Sequence, residues 1–348
     1  MRLLVLPGDG IGPEITAASM PMLQAVSARF RLGVEIEEDV VGHESLKRHG
    51  VSVRGDVLEA ARNADGLVLG PTATFEYTDA INPSMFFRKN LDLFANIRPA
   101  RTYRGLKLRV GEFDLVVVRE NTEGFYADRN MESGGSEMLV TKDMVISLRR
   151  ITRHCCERIA RAAFELAMRR KKHVTAVHKA NVLKRGDGLF LDECRNVAKD
   201  FPGVSMDEII VDAMMAHAVR NPQRFDVVVT TNMFGDILSD LTSELSGSLG
   251  LGGSLNAGGE HAMAQTAHGS APDIAGKNAA NPFSMVLSLS LLLAWYGRRK
   301  KLKAFEDAAA AIEQAVEAAV AARETTADLG GKLGTRETGA ALAARLRA

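Results

Sequence analysis

The sequence has little of what marks secreted, membrane-spanning or nucleic-acid-binding proteins. Its 348 residues include three cysteines, Cys155, Cys156 and Cys194, whose spacing suggests neither a disulfide framework nor a CxxC zinc site. Lys+Arg (44) and Asp+Glu (43) nearly balance, which argues against nucleic acid as the main partner. The apolar run at the N-terminus, in MRLLVLPGDG, is too short for a signal peptide. No stretch reaches the length of a membrane span, and LSLSLLLAWY at 287–296 is predicted to be a buried helix. We therefore expect a cytoplasmic protein without membrane or nucleic-acid partners.

Apolar, strand-like runs alternate with helical patterns along the chain. The strand-like runs lie at 3–7, 66–70, 114–118, 173–178 and 225–230. The helical patterns cover 12–29, 56–63, 143–170 and 187–199, and an alanine-rich helix is expected at 304–324. This alternation predicts an α/β fold whose sheet is at least partly parallel and covered on both faces.

The glycine-rich segment PGDGIGP at 7–13 is not a dinucleotide-binding fingerprint of the Rossmann kind. Its glycines lie at 8, 10 and 12, and position 13 is proline, whereas the fingerprint needs GxGxxG after a strand. A nucleotide that binds this protein is therefore expected to bind in another way.

Two carboxylates four residues apart, Asp236 and Asp240, follow the apolar run at 225–229 in the string TTNMFGDILSD. If this segment is helical, residues i and i+4 share one face and the two carboxylates point at the same place. Mg²⁺ or Mn²⁺ prefers such oxygen ligands. A solvated helix face would show the same spacing, so the pair alone does not decide between the two.

Polar side chains also follow other predicted strands. Arg119 ends the run DLVVVR, Lys179 and Asn181 follow HVTAVH, and Asp212 follows EIIV. Ligands of open α/β sheets gather at the carboxyl ends of the strands, and guanidinium groups match carboxylates geometrically. These positions would suit an anionic ligand, but taken singly each side chain could equally be a solvated surface group.

The motifs together resemble the metal-dependent β-decarboxylating dehydrogenases, the isocitrate, isopropylmalate and homoisocitrate dehydrogenase family. The matching strings, in order, are LPGDGIGPE, RKNLDLFANIRP, VVRENTEGFYAD, VTAVHKANVLK, TTNMFGDILSD, HGSAPDIAGKNAANP and DLGGKLGT. The resemblance implies an isopropylmalate dehydrogenase-like two-domain fold, with mixed sheets flanked by helices and no Rossmann domain. It also implies a cofactor-side domain at 1–98 plus 245–348 and a central domain at 99–244 that carries the dimer interface. Family members are homodimers with shared active sites.

The reaction implied by the resemblance is the NAD-dependent oxidative decarboxylation of a 3-carboxy-2-hydroxy acid. Mg²⁺ or Mn²⁺ would be held by Asp236 and Asp240 together with Asp212 of the other protomer. Lys179 would take the hydroxyl proton, and Tyr126 would return a proton to the carbon that loses CO₂. Three arginines would bind the substrate carboxylates: Arg88, Arg98 and Arg119.

The cofactor expectation depends on HGSAPDIAG, which places Asp273 and Ile274 where relatives contact the adenosine ribose. A carboxylate there accepts hydrogen bonds from ribose hydroxyls and repels a 2′-phosphate, so NAD is expected rather than NADP. The further cofactor contacts implied by the resemblance are Ile11, Thr72, Thr74, Asn181, His268, Gly269 and Asn281.

The substrate stays open, because selectivity in the family lies just before Arg88, in DAINPSMFFR. Ser84 and Met85 stand where isopropylmalate enzymes have a leucine pair, and Asn82 and Ser84 could bond a third carboxylate. We rank isocitrate or homoisocitrate slightly ahead of isopropylmalate, with D-malate or tartrate behind. The other class considered is a non-catalytic regulatory subunit, which the retained tyrosine, lysine and aspartates disfavour.

Overall fold

The computed structural model describes residues 1–73, 76–77, 80–126 and 135–347. Its strands are β1 (Arg2–Leu6), β2 (Glu35–Glu38), β3 (Gly66–Leu69), β4 (Ala95–Arg101), β5 (Asp114–Glu120), β6 (Glu137–Thr141), β7 (Met144–Ser147), β8 (His173–His178), β9 (Ser205–Ile210), β10 (Val227–Thr230), β11 (Leu255–Ala257) and β12 (Ala262–Gln265). Its α-helices are α1 (Gly12–Phe30), α2 (His43–His49), α3 (Gly55–Asn63), α4 (Pro83–Asn90), α5 (Arg153–Ala167), α6 (Gly186–Ala198), α7 (Val211–Arg220), α8 (Asn232–Leu245), α9 (Phe283–Lys300), α10 (Lys303–Ala321) and α11 (Thr335–Arg347).

The chain divides into two compact units. The first unit contains residues 1–91, 102–108 and 246–348, and the second contains residues 92–101 and 109–245. Each unit contributes five neighbouring strands to mixed sheet structure, with helices packed against them. The predicted α/β class with mixed sheets is confirmed.

In the first unit the strand order is β2-β1-β3-β12-β11, parallel except for the antiparallel pair β11 and β12. All four residues of β3 and the last four of β1 are buried, which explains why both strands read as continuous apolar runs. Helix α9 carries the apolar run at 287–296 and packs against α10 and β12, so the predicted buried helix is confirmed. Among the described helices none is long and apolar enough to cross a membrane.

In the second unit the strand order is β4-β5-β10-β8-β9, parallel except for the antiparallel pair β4 and β5. Successive valines of β5 and β10 point to opposite faces of the sheet. Val118 and Val229 pack on the face covered by α5 and α6, whereas Val117 and Val228 pack on the face that includes Met214 of α7. The sheet is thus buried on both sides, as the sequence predicts.

The predicted helix over 143–170 is wrong in its first third. Residues Met144–Ser147 form β7, which pairs with β6 in an antiparallel hairpin, and α5 begins only at Arg153. The run MVIS is rich in β-branched and apolar residues, which favour a strand. Thr152 then starts the helix, because its side-chain oxygen accepts a hydrogen bond from the N–H of Cys155 at 3.3 Å.

Candidate active site

Helix α8 follows β10 directly and carries both carboxylates of the predicted pair. Asp236 and Asp240 are four residues apart on this helix, so the predicted shared face is confirmed. Their side chains are 35% and 53% exposed. The helix lies close to β5 because it has a glycine at position 235, where a Cβ would lie only 2.7 Å from Cβ and Cγ of Arg119.

Two buried arginines of the second unit face these carboxylates. Arg119, at the end of β5, donates from Nη1 to Oδ1 of Asp236. Its Nε and Nη2 both donate to Oδ1 of Asn232, at 2.9 and 2.7 Å. Arg98, on β4, donates from Nη1 to Oδ1 of Asp240 at 3.1 Å and to Oγ of Ser239 at 2.7 Å. The structure therefore brings Arg98 and Arg119 together with the carboxylate pair.

The charges of this cluster shift the ionisation of its members. Burial, together with the neighbouring charge of Arg119, lowers the pKa of Arg98 to about 10. Partial burial raises the pKa of Asp240, and the negative charge of Asp236 adds to that effect. Buried charges require partners, which explains why each guanidinium contacts a carboxylate. Two carboxylates on one helix face are also the oxygen-donor set that suits a hard divalent cation.

Tyr126 belongs to the same cluster. Its hydroxyl donates to Oδ2 of Asp236 at 3.3 Å, and Cζ of Arg119 lies 5.8 Å from the centre of its ring. The predicted acid residue is therefore held beside the predicted metal ligand by groups of its own chain.

Lys179 and Asp212 form a second pair in this unit. Lys179 follows β8, Asp212 lies in the first turn of α7 after β9, and their side chains form an ion pair between Nζ and Oδ1. The hydrogen bond from Lys179 lowers the pKa of Asp212. Within the described ranges no three His, Cys, Asp or Glu side chains gather as metal ligands, so Asp212 does not join Asp236 and Asp240 there. Asn181 is exposed.

In the first unit Ser84 and Arg88, two of the predicted substrate-binding residues, contact an amide that sequence reasoning missed. Oε1 of Gln265, on β12, accepts from Ser84 Oγ at 3.1 Å, Arg88 Nη2 at 2.9 Å and Asn256 Nδ2 at 3.3 Å. Asn82 has a structural task as the N-cap of α4, since its Oδ1 accepts from the N–H of Met85 at 3.2 Å. Gln265 ends an apolar strand, AMAQ, which is the signal that would have pointed to it.

Predicted cofactor residues line a pocket of about 260 Å³ in the first unit. Of the predicted set it contains Ile11, His268, Gly269, Ile274 and Asn281, and it adds Gly250, Ala271, Ala279, Ala280 and Asp328. Ile11 is held there by a hydrogen bond from its N–H to the carbonyl of Ser270 at 2.9 Å. The pocket thus joins the turn after β1 to the HGSAPDIAG and NAANP segments.

Asp328 is a polar member of this pocket that the sequence did not single out. Its Oδ2 accepts from Ser248 Oγ at 2.7 Å and from Asn281 Nδ2 at 2.9 Å. His268 is another polar residue of the pocket, and its Nδ1 lies 3.0 Å from the carbonyl oxygen of Gly269. Because a carbonyl oxygen only accepts, Nδ1 carries the hydrogen, and Nε2 is the hydrogen-bond acceptor of the neutral ring. Burial lowers the pKa of His268 and favours that neutral form.

Four predicted cofactor residues, including the exposed Asn181, are not among the residues that line the pocket. Asp273 is exposed on the short 3₁₀ helix Pro272–Ile274, next to the pocket residue Ile274. Thr72 is buried just after β3. Thr74 lies outside the described residues.

Comparison with known proteins places this chain and its fold among the decarboxylating dehydrogenases of hydroxy acids. The chain belongs to the isocitrate/isopropylmalate dehydrogenase family, which it matches over residues 2–342. It is 41% identical over 337 residues to the 3-isopropylmalate dehydrogenase of Archaeoglobus fulgidus, covering 97% of this chain and 96% of the relative. It is 36% identical over 354 residues to the homoisocitrate dehydrogenase of Methanocaldococcus jannaschii, covering 97% and 96%.

A solved structure agrees with this assignment. The crystal structure of isocitrate dehydrogenase from Methylococcus capsulatus superposes with a TM-score of 0.91 at 37% identity, covering 100% of this chain and 99% of that one. The predicted family and fold are confirmed, and the protein is an oxidoreductase of the dehydrogenase type.

Proposed function

We propose that the protein catalyses the NAD-dependent oxidative decarboxylation of a 3-carboxy-2-hydroxy acid. The observation that carries the proposal is the cluster of Arg98, Arg119, Tyr126, Asp236 and Asp240 in the second unit. It combines cations for substrate carboxylates, oxygen ligands for a divalent metal and a hydroxyl acid. A plain nucleotide-binding module would leave these groups without a task.

Each residue has a distinct role in this proposal. Asp236 and Asp240, with Asp212 of a second protomer, would hold Mg²⁺ or Mn²⁺. The bound cation would supply Lewis-acid polarisation of the substrate hydroxyl, and bound NAD would supply the hydride acceptor. Nζ of Lys179 takes the hydroxyl proton. The substrate then loses its C3 carboxylate as CO₂, and the hydroxyl of Tyr126 gives its proton to that carbon.

The arginines bind and orient the acid. Arg98 and Arg119 are buried cations already fixed by Asn96, Asn232 and Ser239, so little side-chain freedom is lost when a carboxylate binds. Arg88 is held by the amide of Gln265, a neutral acceptor that leaves the guanidinium charge in place for a substrate carboxylate.

The pocket of the first unit supports NAD as the cofactor. Its volume suits one part of a dinucleotide rather than the whole molecule. Nε2 of neutral His268 suits a hydrogen bond from the adenine amino group, and Ile11 and Ile274 offer apolar walls. The exposed carboxylate of Asp273 beside this pocket favours ribose hydroxyls over a 2′-phosphate.

The polar surroundings of α4 favour an acid with a third polar group, as in isocitrate or homoisocitrate. Ser84 and Gln265 form a buried hydrogen-bonded pair at the start of this helix. A site whose buried groups hydrogen-bond a polar substituent rejects an apolar substituent strongly, whereas an apolar pocket rejects an added polar group only weakly. The second candidate is 3-isopropylmalate, which several of the relatives act on according to their names.

We also propose that the protein is a cytoplasmic homodimer. The hairpin β6–β7 is a separate two-stranded sheet in which every strand residue is exposed. Its exposed apolar side chains include Leu139 (71%) and Val145 (56%). An isolated hairpin is marginally stable in water, and a contiguous apolar surface usually marks an interface. A second copy of the same hairpin would cover it, and three free buried cysteines fit a reducing compartment.

The reaction is tested by following NADH formation with Mg²⁺ or Mn²⁺ and isocitrate, homoisocitrate, isopropylmalate, D-malate or tartrate. We expect turnover with a tricarboxylic acid, far less with NADP⁺ in place of NAD⁺, and loss of activity in Asp236→Asn. If a folded dimer forms no NADH with any of the five acids, the proposed reaction is wrong and the protein is better explained as a regulatory subunit.

The dimer is tested by light scattering, for which the protomer mass is 37.6 kDa. Leu139→Lys places a charge on the exposed hairpin and should yield monomers. Leu302→Lys is the matched control, because this leucine is also exposed (43%) but lies in the first unit. A wild-type monomer would refute the proposed assembly.

A further inference from the structure

Arg149, between β7 and α5, has contacts that none of the assigned roles explains. Its side chain is 11% exposed, and Nη2 donates to Oδ1 of Asp187 at 2.6 Å and to Oγ1 of Thr231 at 3.2 Å. Its Cζ also lies 5.8 Å from the ring centres of both Phe125 and Phe234. One guanidinium therefore contacts three separate segments of the second unit.

The first of these segments carries Lys179. Asp187 is fully buried in the first turn of α6, and its Oδ2 accepts a hydrogen bond from the N–H of Lys179 at 2.5 Å. A buried carboxylate without a cation is costly, so the positive charge of Arg149 is needed to compensate the negative charge of Asp187. The backbone of Lys179 is thus held by Asp187, and Asp187 is held by Arg149.

The second segment, at the start of α8, leads to the proposed metal ligand Asp236, and the third contains the proposed proton donor Tyr126. Thr231 precedes α8 and accepts at its carbonyl from the N–H of Gly235 at 2.9 Å, immediately before Asp236. Phe234 lies in the first turn of the same helix. Phe125 is the residue before Tyr126.

The fit around Arg149 is close and suits arginine in particular. A Cβ on Gly186, at the start of α6, would lie 2.9 Å from Nη1 of Arg149. Arginine can donate in a plane to two acceptors while its faces contact aromatic rings, whereas a lysine ammonium offers only a point charge.

We propose that Arg149, together with Asp187, is a positioning residue that sets the mutual placement of Tyr126, Lys179 and Asp236. This inference rests on the proposed function, which gives those three residues their catalytic roles. Arg149 itself touches none of the atoms assigned to the reaction, and it acts through the segments that it joins.

The test compares Arg149→Met, Arg149→Lys and Asp187→Asn with the control Arg161→Met. Arg161 also pairs with an aspartate, Asp200 at 2.8 Å, and lies over the ring of Phe201; among the described residues these three form no hydrogen bond or ion pair with the catalytic segments. Misplacing reacting groups by about 1 Å costs roughly 100-fold in rate. We expect Arg149→Met and Asp187→Asn to lower kcat by about that factor and to change the pH profile of kcat. The KM for NAD⁺ should stay unchanged, and the control should resemble the wild type.

A merely structural role would lower the thermal midpoint without changing kcat per folded enzyme or its pH profile, and that result would overturn the proposal. If Arg149→Met does not fold, Arg149→Lys keeps the charge beside Asp187 and should restore folding but not kcat. Full rescue of kcat by lysine would also contradict the proposal.

Hydrogen exchange separates this inference from the proposed reaction. In Arg149→Met or Arg149→Lys we expect the amide of Lys179 and the peptide spanning 231–236 to exchange at least about tenfold faster, with no such change in Arg161→Met. This holds even if no acid is turned over, in which case only the proposed function fails. Unchanged exchange in both segments would refute the positioning role.

Discussion

Replacing Asp236 with asparagine should remove most of the stabilisation that Mn²⁺ gives to the protein. Asparagine keeps an oxygen that can accept from Nη1 of Arg119, but it loses the charge that the proposed metal site needs. The variant separates two effects: the loss of an ion pair in the metal-free protein, and the loss of a ligand in the metal-bound one.

The metal-free cost should be small. The Arg119 side chain is 2% exposed but that of Asp236 is 35% exposed, so solvent screens the pair and one hydrogen bond survives the change. We expect a loss of about 1–2 kcal/mol, at the low end for hydrogen bonds to charged groups. The effect of the metal should be larger, because a ligand at 100 times its Kd stabilises the folded state by about 2.7 kcal/mol. In a chain of 348 residues, with an unfolding entropy of about 2.1 cal/mol/K per residue, that is a rise of about 4 °C in Tm.

The assay is thermal unfolding followed by circular dichroism, with and without saturating Mn²⁺. The wild type should show the full rise in Tm and Asp236→Asn only a small part of it. Asp192→Asn is the matched control, because Asp192 is 64% exposed on α6 and pairs with an arginine away from the cluster. If Asp236→Asn keeps the full rise, the metal does not bind at this carboxylate and the assignment of the site is wrong.

Three further outcomes follow from packing and burial. Gly235→Ala should lower the unfolding free energy measured in urea by about 1–3 kcal/mol, because the new methyl group clashes with Arg119. Gly188→Ala should raise the unfolding free energy by about 0.5–1 kcal/mol, because this helical glycine has open space around it. The three cysteines are buried with raised pKa values, so a thiol reagent should label them only after unfolding, and fast native labelling would contradict the fold. Burial raises the pKa of Glu123 above 4.5. As the pH rises from below 4.5 through the raised pKa, the unfolding free energy of the wild type in urea should therefore fall relative to that of Glu123→Gln. A difference that does not change with pH would contradict the raised pKa.

Local sequence patterns predicted the parts of the fold that depend on short-range periodicity. The strands around 114–118 and 173–178 were recognised from their apolar runs, whereas the helix that carries Asp236 and Asp240 entered only as the condition for their shared face. The start of the 143–170 segment was misassigned because MVIS suits a buried helical face as well as a strand. In that case the pairing of β7 with β6 across a two-residue hairpin turn decides the structure.

The supporting polar residues could not be predicted from the sequence. Gln265 meets Arg88 across 177 positions and Arg149 meets Asp187 across 38, and neither spacing corresponds to a local motif. A single glutamine or arginine in a sequence is most often a solvated surface residue. Its role becomes visible only when the fold buries it beside a specific partner.

The two halves of the proposed chemistry in the second unit are supported in different ways. Arg98 and Arg119 contact their carboxylates directly and are each held by additional amide or hydroxyl oxygens, so loss of one bond leaves others in place. The backbone N–H of Lys179 instead depends on Asp187, and the charge of Asp187 depends in turn on Arg149. An uncompensated buried charge costs far more than a lost surface contact. A substitution of Arg149 or Asp187 should therefore displace Lys179 more than loss of one hydrogen bond displaces Arg98 or Arg119. Mutational sensitivity in this unit should therefore follow the number of independent partners that each group has, rather than its distance from the substrate.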